Sequence, residues 1–428
     1  MLKIIDYMVL EKDNILKTTV TIFLLSCVFF SFVTYNININ NLYVLKYLTL
    51  SEVFGIMAIS FFLLNNLKNT FLLIKHNFVF TASLLLLTSF SLGIFVTKDL
   101  KATLLALIIF AYLILLSIAI VITFKSNFLL LIKTIIVTFI IMSVVGFYDY
   151  FALKNNFLTI FPNASNNYII SGFRYFGQTG DYSFMLISFL LPYQFSNLST
   201  LLSKKWFIAL RIATFLGVIV LIGTGRVSAI LSLGIGIFLW IILTRKWEFF
   251  KKHRLELILF FIIILSAKYT LPDIYKNVTS RYESRVSNRV DNTLESEFIV
   301  NNFTFAITSF KDKPLLGHGL ASIANPTDDS EIHGTYLKIL GETGVFGTLF
   351  YVFFIGSIFL LIVKKIRDKA STSNQFFVHY LPFFIASIII WSYEYHLRKK
   401  EFWIILAVLL IISELKKNEL KDIALQNE

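Results

Sequence analysis

Cysteine occurs once in 428 residues, as Cys27 inside an apolar run. A single thiol excludes an intramolecular disulfide framework and a cysteine-based zinc site. Charge is scarce as well: Asp, Glu, Lys and Arg make up 15% of the chain, against roughly 25% in a typical soluble domain. There is no low-complexity tract and no repeat at solenoid spacing. Apolar residues fill the chain instead. They make up 57% of it, with 16% aromatic, and the mean hydropathy is +0.75. Burial saturates with size, so a soluble globule cannot hide this much apolar surface. That excludes a soluble enzyme, a disordered chain and a nucleic-acid binder. The net charge of +13 then marks cytoplasmic loops and contact with anionic lipid rather than a DNA footprint.

A membrane helix needs about 20 mostly apolar residues. Twelve such runs lie near 16–35, 46–65, 78–97, 101–124, 128–148, 181–199, 206–223, 227–244, 255–271, 345–363, 376–393 and 401–413. The expected architecture is an all-α polytopic membrane protein. Residues 1–180 would hold helices one to five and a first extracytoplasmic loop, and 181–271 helices six to nine. Residues 272–344 would form a large extracytoplasmic loop containing short helices, and 345–428 the last three helices and a cytoplasmic tail. Lys and Arg in short loops set the orientation. Clusters at Arg245 to Arg254, at Lys364 to Lys369, at Lys204 and Lys205, and at Lys416 and Lys417 all fall on one side, the cytoplasm. The loop with Arg398, Lys399 and Lys400 falls on the other side and breaks the pattern.

Polar chemistry then gathers on the side away from the cytoplasm, where there is no ATP. A group transfer there must use a substrate activated beforehand. Arg226 stands at a turn between two spans, flanked by Gly223 and Gly225. Such an arginine can snorkel to headgroups or clamp a diphosphate with its planar fork. Arg174 lies among Gly172, Gly177 and Gly180, just before a span. It can serve the same clamp or pair with Asp181. Arg281, Arg285 and Arg289 repeat every four residues and make one basic stripe on a helix. That stripe is either a solvated face or a guide for an anionic glycan or lipid phosphate. From Glu297 to Phe310 the apolar spacing predicts an amphipathic helix on the membrane face.

His333 follows Asp328, Asp329 and Glu331, and histidine suits proton transfer near neutral pH. Those four residues could also hold a metal, although their spacing fits no ligand signature. His318, between Gly317 and Gly319, is the weaker base candidate, because nothing acidic adjoins it in sequence.

His333, ten intervening residues, Gly344 and Gly347 together resemble the signature of the O-antigen ligase and polymerase superfamily. Lys313-Pro314-Leu315-Leu316-Gly317-His318-Gly319 is similar to that family's turn before the histidine. Thr224-Gly225-Arg226, and Arg174 with Gly177, resemble its extracytoplasmic arginine segments. The resemblance covers roughly 170–365. The chain departs from it at 297–301, where an arginine is expected and Glu-Phe-Ile-Val-Asn stands.

The resemblance implies a metal-independent, cofactor-free inverting glycosyltransferase with a GT-C-like helical fold, in a bacterial inner membrane with its site facing the periplasm. Its donor would be a glycan on undecaprenyl diphosphate. Its acceptor would be a lipid-linked repeat unit (polymerase, the favoured reading) or lipid A–core (ligase), in O-antigen or capsular polysaccharide assembly. His333 would be the base, and Arg174 and Arg226 would hold the diphosphate. Membrane lipids and a chain-length regulator protein would be partners. The rival from another class is a flippase for lipid-linked sugars, which would place charges such as Glu52, Lys133, Arg211 and Lys268 along a central path.

Overall fold

The computed structural model describes residues 2–31, 50–155, 157–158, 179–223, 227–244, 276, 279–280, 294–323, 332, 334–369, 371, 373–392 and 395–415. Every regular element among them is helical. The helices are α1 (Leu2–Ser31), α2 (Leu50–His76), α3 (Phe78–Ser91), α4 (Leu100–Phe124), α5 (Phe128–Lys154), α6 (Thr179–Phe195), α7 (Lys204–Gly223), α8 (Val227–Thr244), α9 (Leu294–Asp312), α10 (Thr335–Arg367), α11 (Asn374–Ile390) and α12 (Lys400–Glu414). Among the described residues five helices are long and apolar enough to cross a membrane, or six if the bent α2 is one span. Shorter apolar helices lie at Ile15–Phe30, Ser183–Phe195, Ser228–Thr244 and Asn374–Ile390. The all-helical expectation holds among the described residues, which bear out part of the twelve expected crossings by length and hydropathy. The run at 255–271 lies outside the described residues.

Local chemistry sets several boundaries. Asn77 starts α3 by accepting from the Val79 and Phe80 N–H groups at 3.1 and 3.4 Å. Asp99 starts α4 by accepting from Ala102 N–H at 2.9 Å. Both satisfy donors that the first helical turn leaves orphaned.

The described residues fall into two compact units, one drawing on 1–138, 304–365 and 394–426, the other on 139–303 and 366–393. In the first, α2, α3 and α12 pack on α4, and α1 packs on α2. Trp403 of α12 is fully buried; its ring lies 5.4 Å from Phe110 and 5.7 Å from Phe354. At its far end α12 is tied to α4 by Glu414, 2.7 Å from Lys125. In the second unit α11 lies against α8 and α6. Lipid tails give helices no hydrophobic drive to associate, so close approach and polar contacts must hold them together. Both are present. A methyl on Gly236 would sit 2.8 Å from the Phe383 ring, and Trp240 donates its indole N–H to His379 Nδ1 at 2.8 Å.

The helix carrying the sequence signature differs from expectation. A span is expected from about 345, yet α10 begins at Thr335. Lys338 and Glu342 interrupt the apolar run, but they stand one turn apart with Lys338 Nζ 3.2 Å from Glu342 Oε1. Paired charges let the helix continue where hydropathy alone ends it.

Candidate functional site

His333, Arg174, Arg226, Arg281, Arg285, Arg289, Asp328, Asp329 and Glu331 lie outside the described residues. What is described is the framework on either side of His333. Ile332 is buried. Gly334 has φ 88°, and its carbonyl accepts from Lys338 N–H at 3.1 Å in the first turn of α10.

That first stretch of α10 is short. At Gly344 the backbone takes φ 63° and ψ −158° and breaks the helix in two. The break frees backbone groups that a membrane protein must satisfy internally. The turn at 313–322 does so. Val345 and Phe346 donate to the carbonyls of Pro314 and Leu315 at 2.8 and 3.2 Å, and Gly319 donates to the Glu342 carbonyl at 2.9 Å. A Cβ on Gly344 would lie 2.6 Å from the Leu315 oxygen. The similarity of the two glycine-bearing segments to one family signature thus has a physical basis: they are two halves of one joint.

Side chains reinforce the joint. Glu342, fully buried, accepts from Ala321 N–H through Oε2 at 2.8 Å. Lys338 lies over the Tyr395 ring at 5.1 Å, and Arg398 lies over the same ring at 5.5 Å. The Thr335 hydroxyl accepts from His396 N–H at 3.3 Å and lies 3.0 Å from His396 Nδ1. The basic loop that breaks the charge pattern is therefore woven into the start of α10. Lys400, its last cation, is paired with Glu52 at 2.8 Å.

His318 belongs to the core of this joint. It is buried, with Nε2 3.1 Å from the Ser309 carbonyl. Asp312, six residues away in sequence, stands 3.4 Å from the ring. Burial pushes its pKa down, the Ser309 carbonyl opposes that, Lys98 and Lys313 push it further down, and Asp312 opposes them. Lys313 itself donates to the Val96 carbonyl at 2.7 Å. A ring so enclosed cannot reach an acceptor sugar.

Lys338, Glu342, Tyr395 and His396 were not singled out as candidates by sequence reasoning. The Lys338–Glu342 pair did leave a signal, two opposite charges four residues apart inside an apolar helix. His396 left none, because its partner Thr335 is remote in sequence.

His396 also carries a pH prediction. Burial holds its pKa well below the ordinary value, and the nearby Lys399 adds to this. The unfolded chain exposes the ring, so below about pH 6.5 it binds a proton that the folded chain resists. The stability contribution is present above that pH and is lost as pH falls. The melting temperature of the detergent-solubilised protein should drop between about pH 7.5 and about 5.5. His396→Asn keeps an acceptor for Thr335 and should flatten that drop. An equally steep drop in the variant would remove His396 from the account.

Among the described residues no group of three or more His, Cys, Asp or Glu could hold a metal. Residues 212–352 match a family model described as O-antigen ligase. The match includes Arg226, the three-arginine stripe, the 313–322 turn, His333 and the Gly344 break, and leaves Arg174 outside. No curated protein matches the chain.

Proposed function

We propose that the chain, whose residues 212–352 match a family model described as O-antigen ligase, transfers a glycan from undecaprenyl diphosphate to a sugar hydroxyl. The observation that carries this reading is the coincidence of the matched stretch with the joint that brackets His333. The acceptor oxygen attacks the anomeric carbon while the bond from that carbon to the diphosphate oxygen breaks. His333 takes the hydroxyl proton, and Arg174 and Arg226 balance the charge growing on the leaving diphosphate. Direct displacement inverts the anomeric configuration. No ATP is needed, because the sugar–diphosphate bond is already activated.

Two of the described charges support a transferase over a flippase. Of the charges a transport path would use, Glu52 is committed to Lys400 at 2.8 Å, and Arg211 lies over the Phe207 ring. We assign the transfer to repeat-unit polymerisation, with attachment to lipid A–core as the competing outcome. A deletion strain decides between them. Core bearing a single repeat unit supports the polymerase. Bare core with long lipid-linked chains makes the chain a ligase.

Two further results are expected. Arg174→Lys and Arg226→Lys keep the charge and lose the planar fork, so each should slow transfer by about 10²-fold or more with membrane levels unchanged. Full activity in either variant removes that arginine from the clamp. Cysteines placed at Ser165 and Thr327 should react with an impermeant label from outside. One at Asp368, exposed at the end of α10, should not; its labelling alone inverts the topology.

A further inference from the structure

We propose that the turn between α3 and α4, together with the end of α9, forms a seat for the headgroup of an anionic phospholipid, with Lys98, Lys101, Lys311 and Lys313 as its cations. The proposal needs only that the chain spans a membrane, and it is independent of the role given to His333. The seat stands at a span boundary. The apolar stretch through α3 ends at Phe95 and that of α4 begins at Leu100, so the residues between them lie where hydrocarbon gives way to headgroups. Packing brings the second segment to the same level. A methyl on Gly93 would sit 2.9 Å from the Gly319 Cα, and one on Gly319 would sit 2.6 Å from the Thr97 Cβ. Lys313 Nζ donates to the Val96 carbonyl at 2.7 Å, which ties the end of α9 to the turn before α4.

Two kinds of surface meet there. One is apolar: Phe95 is 83% exposed and Leu315 62%, with Leu92 and Leu100 exposed as well. Water would make such a rim costly, whereas acyl chains cover it. The other is basic. Lys98, Lys101 and Lys311 are exposed, and Lys98 and Lys313 are both close enough to act on His318 through space. The two acids among them are turned elsewhere. Asp99 accepts from Ala102 N–H at 2.9 Å, and Asp312 faces the His318 ring at 3.4 Å. Four lysines against two aspartates leave a net charge of +2. An apolar rim beside uncompensated ammonium groups is complementary to a lipid whose phosphate carries a net negative charge. The lysine stems lie along acyl chains while their heads reach phosphate oxygens. The bond to Val96 fixes the Lys313 ammonium and leaves it further N–H donors. A zwitterionic headgroup, neutral as a whole, would not balance the charge.

The test counts the lipid bound to full-length protein released from nanodiscs of mixed phosphatidylglycerol and phosphatidylcholine, by native mass spectrometry. Lys98→Gln with Lys101→Gln and Lys311→Gln removes three exposed cations and leaves the Lys313 brace in place. A lysine near an anionic headgroup is worth about fivefold in affinity, so this variant should hold its tightest phosphatidylglycerol at least about tenfold more weakly, with phosphatidylcholine unaffected. Lys98→Arg with Lys101→Arg and Lys311→Arg keeps the charge and should bind as wild type does. Lys68→Gln with Lys204→Gln and Lys205→Gln removes the same charge from exposed positions elsewhere and should also bind as wild type does. Unchanged binding in the first variant overturns the proposal. So does an equal loss in the second glutamine variant, since net charge alone would then attract the lipid. Equimolar undecaprenyl diphosphate should leave the tightest phosphatidylglycerol in place on the wild-type protein. Its displacement gives the seat to the lipid-linked donor and overturns the phospholipid assignment.

Discussion

His333→Ala should abolish glycan transfer while the protein remains inserted and still binds the lipid-linked donor. A general base contributes roughly 10²–10⁴-fold, and that is the size of the loss expected in turnover. His333→Gln should fail as well, since an amide can hydrogen-bond but cannot take the proton. The wild-type pH–rate profile should rise through the titration of an imidazole, because only the neutral ring accepts a proton. The control comes from the structure. His318 is buried against the Ser309 carbonyl at 3.1 Å, so alanine there would open the joint. His318→Gln keeps a donor for that carbonyl and should leave turnover per folded molecule near wild type. If His333→Gln works as well as wild type, the histidine only positions the acceptor, and a carboxylate such as Glu331 or Asp329 must activate the hydroxyl.

Gly344→Ala should have the largest effect on folding. At φ 63° and ψ −158° the residue occupies a region essentially restricted to glycine, and strain of this kind costs about 1–3 kcal/mol. The added Cβ would also sit 2.6 Å from the Leu315 oxygen and 2.7 Å from the Pro314 oxygen. Those two oxygens accept from Val345 and Phe346, so moving them away strips the second half of α10 of its caps. We expect a sharp fall in detergent-extractable folded protein and a lower melting temperature for what remains. Gly356→Ala, on the same helix, would meet nothing within 4 Å. Glycine inside a helix is about 1 kcal/mol worse than alanine, so that variant should be neutral or slightly stabilising. A Gly344→Ala protein that melts with wild type would show that the break is not required.

The membrane class, the helical fold and most helix ends were legible in sequence. Helix α4 (Leu100–Phe124) and helix α7 (Lys204–Gly223) fall within two residues of their apolar runs, because a bilayer imposes length and hydropathy directly on the chain. The amphipathic spacing from Glu297 to Phe310 likewise found α9 (Leu294–Asp312). The family signature needed only the spacing of His333, Gly344 and Gly347, which is covalent information.

Tertiary structure decided the rest, wherever a residue's meaning depends on a partner far along the chain. Lys338 and Glu342 look like the end of a span until they are seen paired at 3.2 Å. His318 seems to lack an acidic neighbour until the turn brings Asp312 to 3.4 Å. Lys400 looks like a topological anomaly until Glu52, 348 residues earlier, is found 2.8 Å away. Sequence periodicity records which solvent each side chain prefers. It carries no record of which buried charge meets which, because that is set by the packing of helices that are distant in sequence.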